Sequence, residues 1–267
     1  MKKSLIIMMI SAFVVSCSSD DSPPVVEPGI SAGDYLPLAN NNFWVYEVQN
    51  DLQGSRDSIF ISGDVQVNGN TYKKFASEDI PLGFYSGTIN NNGVRKDGDR
   101  LMMTGAAMIS FFQDLPLSID LEDFIIMQEN AAAGTTLSTN SSVIPYQFQE
   151  YTFNFNYTLS SISQGSLATY TVPGGETYTD VKKVQIKLNV LVNTLIDVGG
   201  FSVPVTIMPA QDVVVSTRYY AKDIGVVHSE SDIQYELSDF SSFGITLPLP
   251  ESFSTHEEEI LVNYQAE

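Results

Sequence analysis

Cysteine occurs once in this 267-residue chain, at Cys17, so no disulfide can staple the domain that follows. Histidine occurs twice, at His228 and His256, and the two lack the His-x-x-x-His spacing by which a helix offers a metal two imidazoles. Cations are scarce: 13 Lys and Arg stand against 32 Asp and Glu, for a formal net charge of −19. That balance excludes nucleic acid as a partner, because such binding rests on neutralising phosphates with Lys and Arg. It also argues against adsorption to an anionic bilayer surface. A Gly-x-Ser-x-Gly nucleophile turn and a Gly-rich phosphate loop are both missing. These gaps lead us to expect no catalytic residue, no cofactor and no metal.

What is present begins at the N-terminus. Met1-Lys2-Lys3 is a short basic region, and Leu5 to Val15 is apolar except for Ser11. Eleven helical residues rise only about 17 Å, against about 30 Å of membrane hydrocarbon, so the segment is too short to span. Basic start, apolar stretch and small residue before a cysteine form the pattern of a secretory signal over residues 1–16. Val14-Val15-Ser16-Cys17 resembles the lipobox of bacterial lipoproteins. That resemblance implies diacylglycerol on the Cys17 sulfur and an acyl chain such as palmitate on its amine. Two or three chains anchor stably where one binds only marginally. Removing Lys2 and Lys3 with the signal leaves 11 cations against 32 acids, a net charge of −21.

Ser18-Ser19-Asp20-Asp21 resembles the acid-rich export signal behind the lipidated cysteine of Bacteroidetes-type surface lipoproteins. The resemblance implies outer-membrane attachment with display at the cell surface, the alternative being the periplasmic face. Ser22 to Gly29 holds three prolines and reads as a semi-rigid spacer. The domain plan is therefore a signal at 1–16, a lipidated tether at 17–32 and one β-rich domain at 33–267.

Within 33–267, apolar residues alternate with polar ones between Gly, Asn and Asp clusters. Phe43 to Val48 and Ser58 to Ser62 read as strands. Asn68-Gly69 supplies the turn of a hairpin between Asp64–Val67 and Asn70–Phe75. A second hairpin is expected at Asp97-Gly98. Tyr146 and Phe148 fall on even positions, and Tyr151, Phe153, Phe155, Tyr157 and Leu159 on odd ones. That parity change predicts a β-bulge near Gln149-Glu150. Val184, Ile186, Leu188, Val190 and Val192 face one way, and Lys183, Gln185, Lys187 and Asn189 the other. Sheets with one wet face are mostly antiparallel. The fold class expected is mainly β, an antiparallel curved sheet as a half-barrel or β-sandwich, with at most one or two short helices. Ala106–Leu115 is a candidate helix. Thr255 to Glu258 looks like a capping box before Ile260-Leu261-Val262, and a strand over Glu259 to Tyr264 is the alternative.

Val213 to Tyr220 reads as a strand, Lys222-Asp223-Ile224-Gly225 as a turn, and Val226-Val227 as a return to the sheet. Tyr219 to Val227 resembles the Tyr-Tyr-Ala-Lys-x-Ile-Gly-x-Val segment of bacterial surface lipoproteins of uncharacterised function. There, an opening like Tyr35-Leu36-Pro37-Leu38 with Asn42-Phe43-Trp44-Val45-Tyr46 also recurs. Some such proteins look like the half-barrels of lipoprotein carriers. The resemblance implies a fold and no catalytic residues.

Four further features are weighed. Asp120, Glu122 and Asp123 cluster, as glycoside hydrolysis needs paired carboxylates, and Asp97-Gly98-Asp99 offers oxygen ligands without the EF-hand spacing. Asp57-Ser58-Ile59 resembles the O-glycosylation sequon of exported proteins in the same bacteria, with Ser58 as the sugar carrier. The 13 tyrosines and 15 phenylalanines are mainly core, with a minority able to line a ligand pocket. The expectation is a non-catalytic, lipid-anchored accessory module that binds a glycan, peptide or partner. The alternatives are a lipid or lipoprotein carrier with an apolar concavity, and a structural or adhesive surface protein.

Overall fold

A computed structural model describes residues 33–50, 54–112, 115–148, 150–239 and 250–267. The signal segment, Cys17 and the tether lie outside the described residues. The remainder forms one antiparallel sheet of twelve strands, curved into a nearly closed barrel. In chain order the strands are β1 (Phe43–Asn50), β2 (Gly54–Val67), β3 (Asn70–Ser77), β4 (Gly93–Asp97), β5 (Arg100–Phe112) and β6 (Leu115–Gln128). They continue as β7 (Thr136–Phe148), β8 (Tyr151–Thr171), β9 (Thr177–Val198), β10 (Phe201–Ala221), β11 (Gly225–Glu236) and β12 (Ser252–Gln265). One helix, α1 (Phe84–Ile89), lies between β3 and β4.

Every strand pairs with its sequence neighbour except at one place. The sheet order runs β6-β5-β4-β3-β2-β1-β12-β11-β10-β9-β8-β7. First and last strands are therefore hydrogen-bonded to each other, and the gap falls between β6 and β7. Closure removes most of the exposed edge that a twelve-stranded sheet would otherwise present.

The alternation read from sequence sets the inner face. Trp44, Tyr46 and Val48 of β1 are buried, and so are Ile59 and Ile61 of β2. Each large apolar side chain so buried contributes about 1.5–3 kcal/mol. Trp44 stacks on Phe75 at 5.8 Å and Tyr46 meets Tyr85 edge-on at 5.5 Å. The β2–β3 hairpin turns at Asn68 and Gly69, with φ of 49° and 82°, as a tight primed turn requires. The β4–β5 hairpin pairs Lys96 with Leu101 and Asp97 with Arg100 around Gly98-Asp99.

Two expectations are corrected. Residues 106–112 continue β5, because Ala106, Ala107 and Met108 pair with Asp120, Ile119 and Ser118 of β6 and are held extended. The parity change falls between two strands, not at a bulge inside one, because β7 ends at Phe148 and β8 begins at Tyr151. Phe148 pairs with Tyr151 and Tyr146 with Phe153, so the two runs belong to facing strands. At the other ambiguous segment the strand reading of Glu259 to Tyr264 holds, and Thr255 to Glu258 belongs to the same strand, β12, in place of a helix start.

Helix α1 has no sequence signature, with a glycine inside and two β-carbon-branched or aromatic ends. Its order comes from three carboxylates on the inner face. Asp57 accepts the backbone N–H groups of Leu82 and Gly83 at 3.0 and 2.7 Å. Glu257 accepts that of Phe84, and Glu259 those of Tyr85 and Ser86. The donors that a helix start leaves unsatisfied are thus met by β2 and β12.

Candidate functional site

Besides the carboxylates that hold α1, two places among the described residues are considered as sites. The first is a cleft of about 890 Å³ beside the β6–β7 gap, lined by Asn68, Asp120, Glu122, Asp123, Ser138 and Asn140 among others. Side chains reach across the gap: Ser138 Oγ accepts the Ile125 N–H at 2.9 Å, and Asn140 donates to the Asp120 carbonyl at 2.8 Å. The acidic cluster read from sequence does assemble here, with its members differently committed. Asp123 pairs with the Arg95 guanidinium through two bonds of 2.9 Å and accepts from the Tyr72 hydroxyl at 2.7 Å. These contacts hold its carboxyl below the ordinary range. Glu122 accepts from the Asn68 amide at 2.6 Å.

Asp97 and Asp99 serve the β4–β5 turn. Asp97 pairs with Arg100 at 2.5 Å, and Asp99 accepts from Gln128 and Asn130. Ser58 lies half-buried on β2, paired with Val45 of β1. Its neighbour Asp57 is fully engaged in holding α1.

The second place lies on the outer face. Strand β8 carries a register shift between Ser163 and Ser166, where Gly165 has φ 84°, and β9 has Asp180 at φ 52° on a level with it. Beyond these irregularities the β8–β9 hairpin lies across the sheet. Val172, Pro173 and Gly174 at its tip face Glu47 and Gln49 of β1 and Ile260 and Val262 of β12 across a cleft of about 520 Å³. Tyr170 is stacked on Tyr219 at 4.0 Å, and Tyr219 on His228 at 5.4 Å.

Under this strap, β11 and β12 set a ladder of ionisable groups. Glu230 lies opposite Glu258, and Asp232 opposite His256. The chain's two histidines converge on one carboxylate oxygen: His228 Nε2 is 3.9 Å and His256 Nε2 3.8 Å from Glu258 Oε1. Each is held from behind. His228 Nδ1 bonds the Tyr170 hydroxyl at 2.6 Å, and His256 Nδ1 bonds Asp232 at 2.8 Å. Burial pushes the His228 pKa down, while the hydrogen bond to Asp232 raises that of His256. Glu230 accepts from the Tyr219 hydroxyl at 2.9 Å.

No family model, no curated protein and no solved structure matches this chain. Its site is therefore described by its own geometry. Among the described residues, no group of three His, Cys, Asp or Glu side chains could hold a metal ion. The sequence reading tested the histidines at helical spacing only. The usable signal was His-x-Glu, present at 228–230 and again at 256–258, because a strand points residues i and i+2 to one face.

The two windows of the lipoprotein resemblance meet where β1 faces the β10–β11 turn. Trp44 donates its indole N–H to the Ile224 carbonyl at 2.6 Å, and the Tyr46 hydroxyl donates to that of Val226 at 2.8 Å. Asp223 accepts the Asp34 N–H at 3.0 Å. These contacts close that end, and they give the windows a structural role.

Proposed function

We propose that the chain is a non-catalytic, lipid-anchored outer-membrane lipoprotein, displayed at the cell surface, that binds a ligand or partner. The cleft beside the β6–β7 gap is the binding site, and its volume of about 890 Å³ carries the reading. Ligand clefts typically run about 300–1,000 Å³. Its amide, hydroxyl and carboxylate lining, partly fixed by bonds within the protein, matches the hydroxyls of a glycan or the backbone of a peptide. The carrier alternative is less well supported. It needs an apolar hollow, whereas Trp44, Phe75, Tyr46, Tyr85 and helix α1 occupy the barrel interior.

Glycan and peptide arrays probed with the full chain test the site. A hit should weaken at least about tenfold, roughly 1.4 kcal/mol, in Glu122→Ala and Asn140→Ala. Arrays silent at millimolar ligand, or a hit unchanged in both variants, would remove the cleft from consideration. The anchor is tested by fractionating native cells. Cys17→Ala should move the protein out of the membrane pellet, and continued pelleting would defeat the lipoprotein reading.

A further inference from the structure

We infer that the barrel interior binds a small monovalent anion of the chloride class beside Arg218, held by donors from β10, β11 and α1. Three observations inside the barrel lead there.

The first is a charge with no counter-charge. Arg218 of β10 is 3% exposed. Its one hydrogen bond runs from Nη2 to Thr88 Oγ1 of α1 at 3.0 Å, while Nε is buried without a partner. The Tyr85 ring lies 5.0 Å from the guanidinium carbon, a cation–π contact. Among the described residues no carboxylate forms an ion pair with it. The acids that hold α1 are committed to the backbone N–H groups of residues 82–86. Burial also raises the Glu259 pKa to about 8, so near neutrality that carboxyl keeps its proton. A guanidinium stays charged at any ordinary pH, and a buried charge left unpaired is strongly destabilising.

The second is a surplus of donors around that charge. The hydroxyls of Tyr85, Tyr220 and Ser229 are also buried without partners. Ser229 is directly cross-strand from Arg218, Tyr220 stands two residues along the same face of β10, and Tyr85 is the ring against the guanidinium. Burial raises the Tyr220 pKa and the Arg218 charge opposes it, as their closeness requires. Two rungs away the same strands satisfy themselves, Ser231 donating to Ser216 at 2.9 Å. Buried polar groups are nearly always partnered, so four such atoms in one neighbourhood need an explanation. A hydroxyl that accepts from Arg218 still has its own proton to place. The group as a whole lacks an acceptor.

The third is enclosure, which selects the occupant. Tyr85, Tyr220 and Ser229 are as deeply buried as Arg218, and Val184, across β9 from Arg218, is buried too. Water would satisfy the hydroxyls and leave the charge unmet. An acceptor bearing one negative charge meets both needs. In a closed interior it must be compact and easily dehydrated, which favours chloride or bromide over sulfate, phosphate or the strongly hydrated fluoride.

The test is urea denaturation of the full chain, carrying Cys17→Ser so that it stays unlipidated, in sodium chloride against sodium gluconate at equal ionic strength. Gluconate is too large to enter. An anion bound only by the folded form raises the folding equilibrium constant about tenfold for each tenfold rise in its concentration above the dissociation constant. Chloride and bromide should both do so, and gluconate should not. Tyr220→Phe and Ser229→Ala each keep the charge and remove one donor. Each should raise the chloride concentration of half-effect at least about fivefold. Arg218→Met should abolish the chloride dependence, and if it fails to fold the two milder variants decide. Crystals of protein refolded in bromide should show anomalous scattering within hydrogen-bond reach of Arg218 Nε. Equal urea midpoints in chloride and gluconate overturn the proposal. So does an unchanged chloride dependence in both Tyr220→Phe and Ser229→Ala, or water alone beside Arg218 in the bromide crystals.

Discussion

Trp44 of the first strand donates its indole N–H to the carbonyl of Ile224, 180 positions later, across 2.6 Å. The bond ties the opening of the domain to the β10–β11 turn. Gly225 permits the approach: its φ is 118°, and a Cβ there would stand 2.9 Å from the Trp44 ring nitrogen and 3.2 Å from Leu36. Trp44→Phe leaves the carbonyl unpaired and removes part of a buried ring, so it should lower unfolding free energy by about 2–4 kcal/mol. Gly225→Ala adds steric contact to backbone strain and should cost about 1–3 kcal/mol. Urea midpoints at constant slope measure both. A loss under about 0.5 kcal/mol in each would show that this junction does not hold the barrel end.

The acids around α1 give stability an unusual dependence on pH. Burial raises the pKa of Glu257 from 4.5 to about 7 and that of Glu259 from 4.5 to about 8. Between those values the native state holds protons that the unfolded chain releases. The contribution is whole below about pH 4.5 and is lost as pH rises through 7 and 8. Each carboxyl accounts for up to about 1.4 kcal/mol per pH unit. Asp123 and Asp212 act in the opposite sense, being held below 3.8, so their contribution is lost as pH falls through the acid range. Stability should therefore peak on the acid side of neutrality, at about pH 4–5. Denaturation midpoints taken across the range check this, and Glu259→Gln should flatten the alkaline limb by one carboxyl's share. An alkaline limb as steep in Glu259→Gln as in the parent would assign the effect elsewhere.

Asp123 separates charge from backbone geometry. It has φ 48° and pairs with Arg95, their side chains being 30% and 19% exposed. Asp123→Asn keeps a residue that tolerates the left-handed region and removes the charge. Because both partners are partly solvated, the expected cost is about 1 kcal/mol. Asp123→Ala adds left-handed strain of roughly 1–2 kcal/mol. Equal midpoints for the two variants would mean that the positive φ carries no cost.

Much of the architecture was legible from alternation alone. Val184 to Val192 and Phe153 to Leu159 show their buried faces in sequence, because burial on a pleated strand recurs every second residue. The turn read from Lys222-Asp223-Ile224-Gly225 does separate β10 from β11. What escaped was non-local. Helix α1 is weak in propensity and exists through carboxylates lying 25 to 174 positions away. At 149–150, parity alone cannot tell a hairpin from a bulge, since both reset the face. Ala106–Leu115 carried helix-compatible residues that pairing with β6 overrode. The seam cleft and the convergence on Glu258 both depend on which strands become neighbours, which no local pattern records. His228 and Glu258 are thirty positions apart in the chain, yet their side chains face each other across adjacent strands.

The pairing of β1 with β12 has a consequence for how the molecule is made. Phe43 finds its partner Gln265 only once the chain has been synthesised through β12, and the Glu267 amide then reaches Asn42, 225 positions back. Contacts of such sequence separation are slow to form. Until they form, the nascent sheet has two raw edges in place of one narrow seam.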